Sequence, residues 1–200
     1  MINFFEIILR IDHQLFFLIN IGLANPIFDF IMPLITNEKN WYKPIAISWI
    51  LLIWKGERRG RVVAFLIIPT LILADQTSSS FLKHLFERLR PCKVLENVRL
   101  LVHCGSGFSF PSSHATNISA AFTLFIYFYR KYTIIWITII AMVGLSRVYV
   151  GVHYPLDVLG GYVVGTTISI LLILIYNIME EKAKVVFQKR NELIKQKHPS

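Results

Sequence analysis

The sequence predicts an all-α, polytopic membrane protein with about six transmembrane helices. Three features predict it: scarce charge, long apolar runs, and basic residues gathered between those runs. Of the 200 residues, 54% are hydrophobic and 16% are charged, and the mean hydropathy is +0.55. Soluble domains carry about a quarter charged residues. The apolar runs fall near 2–23, 30–54, 61–82, 114–129, 133–150 and 157–179. A run of about 20 apolar residues matches the hydrocarbon core, and a helix satisfies its own backbone there.

The last four runs read cleanly as spans. The second is interrupted by Pro33 and by the polar stretch Asn37, Glu38, Lys39 and Asn40, so its spanning part is expected over 41–54, with an earlier start left open. The first contains Glu6, Arg10, Asp12 and His13, which are costly at membrane depth. It either spans with those groups turned to protein or lies in the interface as an amphipathic helix. Met1 to Arg10 lacks a basic n-region and a small-residue cleavage site, so no cleavable signal peptide is expected. The chain reads as one domain over 1–200, with its chemistry in about 75–161 and a basic tail over 180–200.

Loop charge sets the orientation. Lys55, Arg58, Arg59 and Arg61 separate the second and third runs, and Arg130 and Lys131 separate the fourth and fifth. Lys182, Lys184, Lys189, Arg190, Lys195 and Lys197 lie in the tail. With six spans these groups share one side, which the positive-inside rule makes cytoplasmic. The 83–113 loop and the 151–156 connection then lie outside. That loop also holds Lys83, Arg88, Arg90, Lys93 and Arg99, which the rule does not favour there. A net charge of +9 would suggest nucleic acid in a soluble protein, but no aromatic-interleaved basic patch is present. Orientation and anionic headgroups explain the charge, so the bilayer is the expected partner and nucleic acid is not. Oligomeric state does not follow from the sequence.

Three clusters meet at the outer face. Lys83, Arg90 and Pro91 end the third run, Pro111, Ser112, Ser113 and His114 open the fourth, and Ser146, Arg147, His153 and Asp157 bridge the fifth and sixth. The cationic groups of Lys83, Arg90 and Arg147 suit phosphate oxygens. Backbone N–H groups of Ser112 and Ser113, ahead of a helix, favour a bound anion. Two histidines can divide the work on a phosphate ester, one attacking phosphorus and one protonating the departing oxygen. Asp157 is placed to hold an imidazole in its reactive tautomer. A site dominated by cations would repel a metal ion, and neither metal nor cofactor is expected.

The ordered pattern K-x6-R-P, P-S-x-H and S-R-x5-H-x3-D resembles the type 2 phosphatidic acid phosphatase superfamily over about Asp75 to Gly161. The resemblance implies a metal-independent lipid phosphatase whose catalytic site lies at the extracytoplasmic helix ends. His153 is then the nucleophile that forms a phosphohistidine, His114 the general acid, and Asp157 the group that orients His153. Lys83, Arg90, Arg147, Ser112 and Ser113 bind phosphate. Similar bacterial membrane enzymes act on undecaprenyl pyrophosphate, phosphatidylglycerol phosphate, phosphatidic acid and lipid A 1-phosphate. An envelope lipid is expected, with lipid A 1-phosphate and undecaprenyl pyrophosphate ahead, in a bacterial inner membrane with the site facing the periplasm or exterior. The second motif usually reads P-S-G-H, and Ser113 replaces the glycine. If positive φ were needed there, serine would cost about 1 kcal/mol. Its hydroxyl is expected either to add a donor or to cap the helix.

Other residues have plainer readings. Arg88, Lys93 and Arg99 read as snorkelling anchors, and His84 and His103 as surface or headgroup contacts. Ser146 supports the site through a hydrogen bond near the phosphate or through close helix packing. Asp75, beside Gln76 and Thr77, either serves the site or satisfies interhelical hydrogen bonds. Gly160, Gly161 and Gly165 suit close packing of the last helix. Cys92 and Cys104 are expected to form a disulfide, worth about 3 kcal/mol by loop entropy, whereas a zinc site with His103 fits no standard spacing. Two functions compete with hydrolysis. Phosphoryl transfer to another lipid or sugar would use the same residues. Non-catalytic lipid binding or transport would be marked by loss of His114 or His153, and both are present.

Overall fold

The computed structural model describes residues 3–197. Its regular structure is helical throughout, with no strand among the described residues. The start of the Met1–Arg10 stretch and the end of the 180–200 tail lie outside them.

Helix α1 (Phe4–Phe17) runs on through a π-helical turn (Leu18–Gly22), and the chain then bends by 115° into α2 (Pro26–Thr36). Local sequence restarts the helix: the Asn25 side chain accepts from the Phe28 N–H at 2.9 Å, and Pro26 takes the first helical position, where its missing N–H costs nothing. The polar Asn37–Asn40 stretch divides the second apolar run. A 3₁₀ turn (Glu38–Asn40) separates α2 from α3 (Tyr42–Lys55). Next come α4 (Glu57–Asp75), a π-helical stretch (Gln76–Leu82), α5 (Lys83–Phe86) and α6 (Pro91–Val94). The bundle is completed by α7 (Ser113–Phe128), α8 (Thr133–Tyr149) and α9 (Pro155–Lys197).

Among the described residues, three stretches are long and apolar enough to cross a membrane alone: Glu57–Val94, Arg130–Tyr149 and Pro155–Ile194. The bent α1–α2 pair meets that test only jointly. With 14 and 16 residues, α3 and α7 are shorter. The six expected runs therefore correspond to helices of two kinds, three of full length and the others short or bent.

Helix α7 packs against α4, α8 and α9. Glycine permits the closest of these approaches. A Cβ on Gly165 would stand 2.1 Å from the Thr116 carbonyl oxygen and 2.2 Å from Ser119 Oγ, and one on Gly161 would stand 2.7 Å from the Ser112 carbonyl oxygen. The backbones of α7 and α9 thus touch, which fixes their two N-termini side by side. The N-terminal segment is also tied to this end. Asp12 is buried and accepts from the Leu156 N–H at 2.8 Å, while His13 stacks on Tyr154. Glu6 and Arg10 remain exposed. Buried Asn20 donates to the carbonyls of Arg99 and Tyr149 at 2.8 and 2.7 Å and accepts from the Arg99 N–H at 2.9 Å.

Gly165→Val is expected to lower stability by about 1–3 kcal/mol through overpacking against backbone, read as a lower melting temperature in detergent. Gly107→Ala, where an added Cβ meets nothing within 4 Å, is expected to melt like wild type.

Candidate active site

Helix ends converge on one face of the bundle, and local signals place each of them. α5 carries Lys83 and stops at Glu87, whose φ is 44°. Arg90 lies in extended backbone before Pro91, the first residue of α6. Ser112 is the N-cap residue of α7, so Ser113 and His114 stand in its first turn. α8 delivers Arg147 and ends before Gly151, whose φ of +87° suits glycine alone and whose Cβ would meet the Arg99 carbonyl oxygen at 2.7 Å. Pro155 opens α9, with only Tyr154 between it and His153. In that first turn Asp157 Oδ2 accepts from the Tyr154 N–H at 2.8 Å, a carboxylate in its favoured place at a helix N-terminus.

His153 is 1% exposed. Its Nδ1 lies 3.3 Å from Ser109 Oγ and 3.5 Å from Asp157 Oδ2, and Ser109 donates to that same carboxylate oxygen. The carboxylate therefore faces the ring both directly and through a hydroxyl, and Nε2 is the nitrogen left for chemistry. Burial pulls the imidazole pKa down to about 3, against the hydrogen bond that the ring donates to Asp157 and with help from nearby Arg147 and Arg90. At neutral pH the ring is uncharged and carries a nucleophilic lone pair.

Arg90 and Arg147 are each 8% exposed. Arg90 Nε donates to the Gly107 carbonyl at 3.1 Å, and Arg147 donates through Nη1 to Thr36 Oγ1 at 2.5 Å. Arg147 Nε and Ser112 Oγ are buried with no hydrogen-bond partner among the described residues. Neither guanidinium forms a salt bridge among the described residues. Lys83 adds a third positive charge within electrostatic reach of both. An uncompensated buried ion costs several kcal/mol, and a phosphate would offset Arg90 and Arg147 at once, with the half-buried Lys83 beside them. His114, also within electrostatic reach of His153, pairs through Nε2 with Glu38 Oε1 at 3.1 Å.

The structure corrects some expectations and decides between others. Ser113 does not have positive φ, so replacing glycine costs nothing there. Its hydroxyl does not cap α7 but meets Ser79 Oγ at 3.0 Å. The Ser112 N–H is committed to the Asp157 carbonyl at 2.9 Å, which leaves the Ser112 hydroxyl, not its amide, for an anion. Arg88, Lys93 and Arg99 are not snorkelling anchors. Arg88 binds Asp12 and Asp157, Lys93 Nζ donates to the Ser106 carbonyl at 2.6 Å, and Arg99 pairs with Asp29. Ser146 Oγ donates to the Val143 carbonyl of its own helix at 2.7 Å. Asp75 accepts from Ser79 at 3.2 Å and from Asn117 of α7 at 3.5 Å, an interhelical role. Cys92 and Cys104 form the disulfide, with Cα atoms 6.1 Å apart, which removes both thiols from any zinc site. His84 packs edge-on against Phe108, and His103 Nδ1 accepts from the Gly105 N–H at 3.0 Å.

Ser109, Arg88, Asp12, Thr36 and Glu38 were not anticipated at the site. Charge at membrane depth was a signal for Asp12, and charge against the orientation rule was one for Arg88. Nothing in the sequence marked Ser109 or Thr36.

A family model described as the PAP2 superfamily matches residues 62–180. The chain belongs to the PAP2 superfamily. It is 32% identical over 179 residues to the lipid A 4′-phosphatase of Porphyromonas gingivalis, covering 86% of this chain and 75% of that protein. Among solved structures, LpxE of Aquifex aeolicus is similar, with a TM-score of 0.66 and 26% identity over 80% of this chain and 93% of that one. The transmembrane PAP2-type phosphatidylglycerolphosphate phosphatase of Bacillus subtilis shares the fold, with a TM-score of 0.64 and 24% identity over 86% of this chain and 87% of that one. PAP2 membership and the apolar spans make this a membrane protein.

The buried neutral His153 has a consequence for stability. An unfolded histidine titrates near 6.5, above the folded value of about 3. As the pH falls below roughly 6.5, the unfolded chain takes up a proton that the folded site refuses, so stability declines toward the folded value. The melting temperature in detergent is expected to fall between pH 7 and pH 5, and to fall less in His153→Gln.

Proposed function

We propose that this PAP2-superfamily protein releases inorganic phosphate from an envelope lipid, lipid A first, through a phosphohistidine at His153. One observation carries the reading: Arg90 and Arg147 are buried without carboxylate partners among the described residues, beside a neutral imidazole held at Nδ1. Phosphate oxygens would take the free guanidinium N–H groups and the Ser112 hydroxyl, with Lys83 adding charge. His153 Nε2 attacks phosphorus, the bond to the lipid oxygen breaks, and His114 gives that oxygen a proton. Water then attacks the phosphohistidine, His114 takes the water proton, and phosphate leaves with His153 restored. Asp157 holds the ring and stabilises its positive charge during attack.

The name of the Porphyromonas gingivalis relative supports lipid A and brings in its 4′-phosphate alongside the 1-phosphate favoured by sequence. Undecaprenyl pyrophosphate comes second. The membrane is the bacterial cytoplasmic (inner) one, and loop charge supports the site facing outward from it. The chain acts as one membrane-embedded domain, with its chemistry within about 75–161.

Phosphate release from lipid A 1-phosphate, lipid A 4′-phosphate, undecaprenyl pyrophosphate, phosphatidylglycerol phosphate and phosphatidic acid, in detergent with EDTA, tests this. EDTA-resistant release from lipid A is expected. It should fall at least about 10³-fold in His153→Ala, as when a hydrolase nucleophile is removed, and about 10²–10⁴-fold in His114→Ala. Release that survives in His153→Ala sinks the nucleophile. Transfer to an added lipid acceptor in place of release identifies a phosphotransferase, and binding with neither identifies a non-catalytic protein.

A further inference from the structure

Asp157 has a partner that no motif announces. Its Oδ2 serves Ser109, His153 and the Tyr154 N–H, while Oδ1 accepts from Arg88 Nη1 at 2.7 Å. The second arm of the same guanidinium, Nη2, donates to Asp12 Oδ2 at 2.5 Å. Asp12 is 1% exposed and Asp157 fully buried, with Arg88 between them at 20%. The Arg88 plane lies 4.0 Å over the Tyr154 ring, and Tyr154 is stacked in turn by His13. Asp12 Oδ1 also receives the Leu156 N–H at 2.8 Å, in the first turn of α9.

We infer that Arg88 and Asp12 are positioning residues that act on His153 through Asp157. The inference rests on the assignment of His153 as nucleophile. A buried carboxylate orients an imidazole only while it is ionised and aimed, and Arg88 supplies both the charge and the direction. Asp12 balances Arg88 and occupies its second arm, so this guanidinium does not compete with Arg90 and Arg147 for phosphate. Only a planar fork can bridge two carboxylates and lie on a tyrosine ring, and a lysine ammonium cannot. Through this link α1, which holds no motif residue, becomes part of the catalytic arrangement.

The test combines kinetics and histidine ¹⁵N NMR on Arg88→Gln, Arg88→Lys, Asp12→Asn and His153→Ala in detergent, with lipid A as substrate. Arg88→Gln is expected to lower kcat by about 10–100-fold, the usual size for a partner one layer behind a site, with KM within about threefold of wild type. The acid limb of kcat/KM should move to higher pH, because Asp157 without Arg88 takes up a proton more readily. Arg88→Lys should recover part of the loss. Asp12→Asn, nearly isosteric, should move kcat in the same direction and carries the test if Arg88→Gln does not fold. At pH 7 the ¹⁵N spectrum should show His153 protonated at Nδ1 in wild type and altered in Arg88→Gln and Asp12→Asn, a readout independent of substrate. Wild-type kcat, acid limb and His153 spectrum in these variants would overturn the inference while leaving His153 as nucleophile. A raised KM with unchanged kcat would also overturn it, by making Arg88 a substrate contact. Release retained in His153→Ala would instead overturn the function on which it rests.

Discussion

A guanidinium removed from water needs a negative partner, and Arg90 and Arg147 are both buried here without one among the described residues. Much of the surrounding structure holds that arrangement in place. Arg147 is anchored by Thr36 at the end of α2, so the bend between α1 and α2 bears directly on the pocket. Arg90 is anchored by the Gly107 carbonyl, just beyond the loop that the Cys92–Cys104 disulfide closes. The glycine contact between α7 and α9 brings Ser112 and Asp157 within one backbone hydrogen bond, at 2.9 Å. Loss of any one of these would let the cations move apart or find water, and the drive to bind a phosphate would weaken with it.

Negative charge is kept one layer behind. Asp157, Asp12 and Asp29 are each paired with an arginine of the 83–113 loop, Arg88 for the first two and Arg99 for the third. Carboxylates facing the pocket would neutralise the cations and repel the substrate. Held behind it, they fix the loop and orient His153 without doing either. The exception is Glu38, which is exposed and reaches His114 from the 3₁₀ turn between α2 and α3.

Residues within a few positions of each other were legible in the sequence. His153, Asp157 and Arg147 lie on either side of one tight turn, and Ser112, Ser113 and His114 open one helix, so spacing alone implied their common face. The division of the second apolar run at Asn37–Asn40 was legible for the same reason. Long-range pairing was not. Arg88 meets a carboxylate 76 residues away and Arg99 one 70 residues away. Without those partners in view, a basic residue in a membrane-surface loop looks like a headgroup contact. Ser109 escaped notice because a serine in a loop carries no periodicity, charge or motif; its importance comes only from standing between Asp157 and His153. The Ser112 amide was misread because its acceptor, the Asp157 carbonyl, belongs to another helix.

The most direct measurement is the chemical identity of the intermediate. Protein mixed with lipid A, quenched in alkali where phosphohistidine survives, and digested for mass spectrometry should yield one phosphoryl group on the peptide containing His153, absent from His153→Ala. Phosphate on His114, or turnover with no phosphorylated peptide at any quench time, would contradict nucleophilic attack by His153.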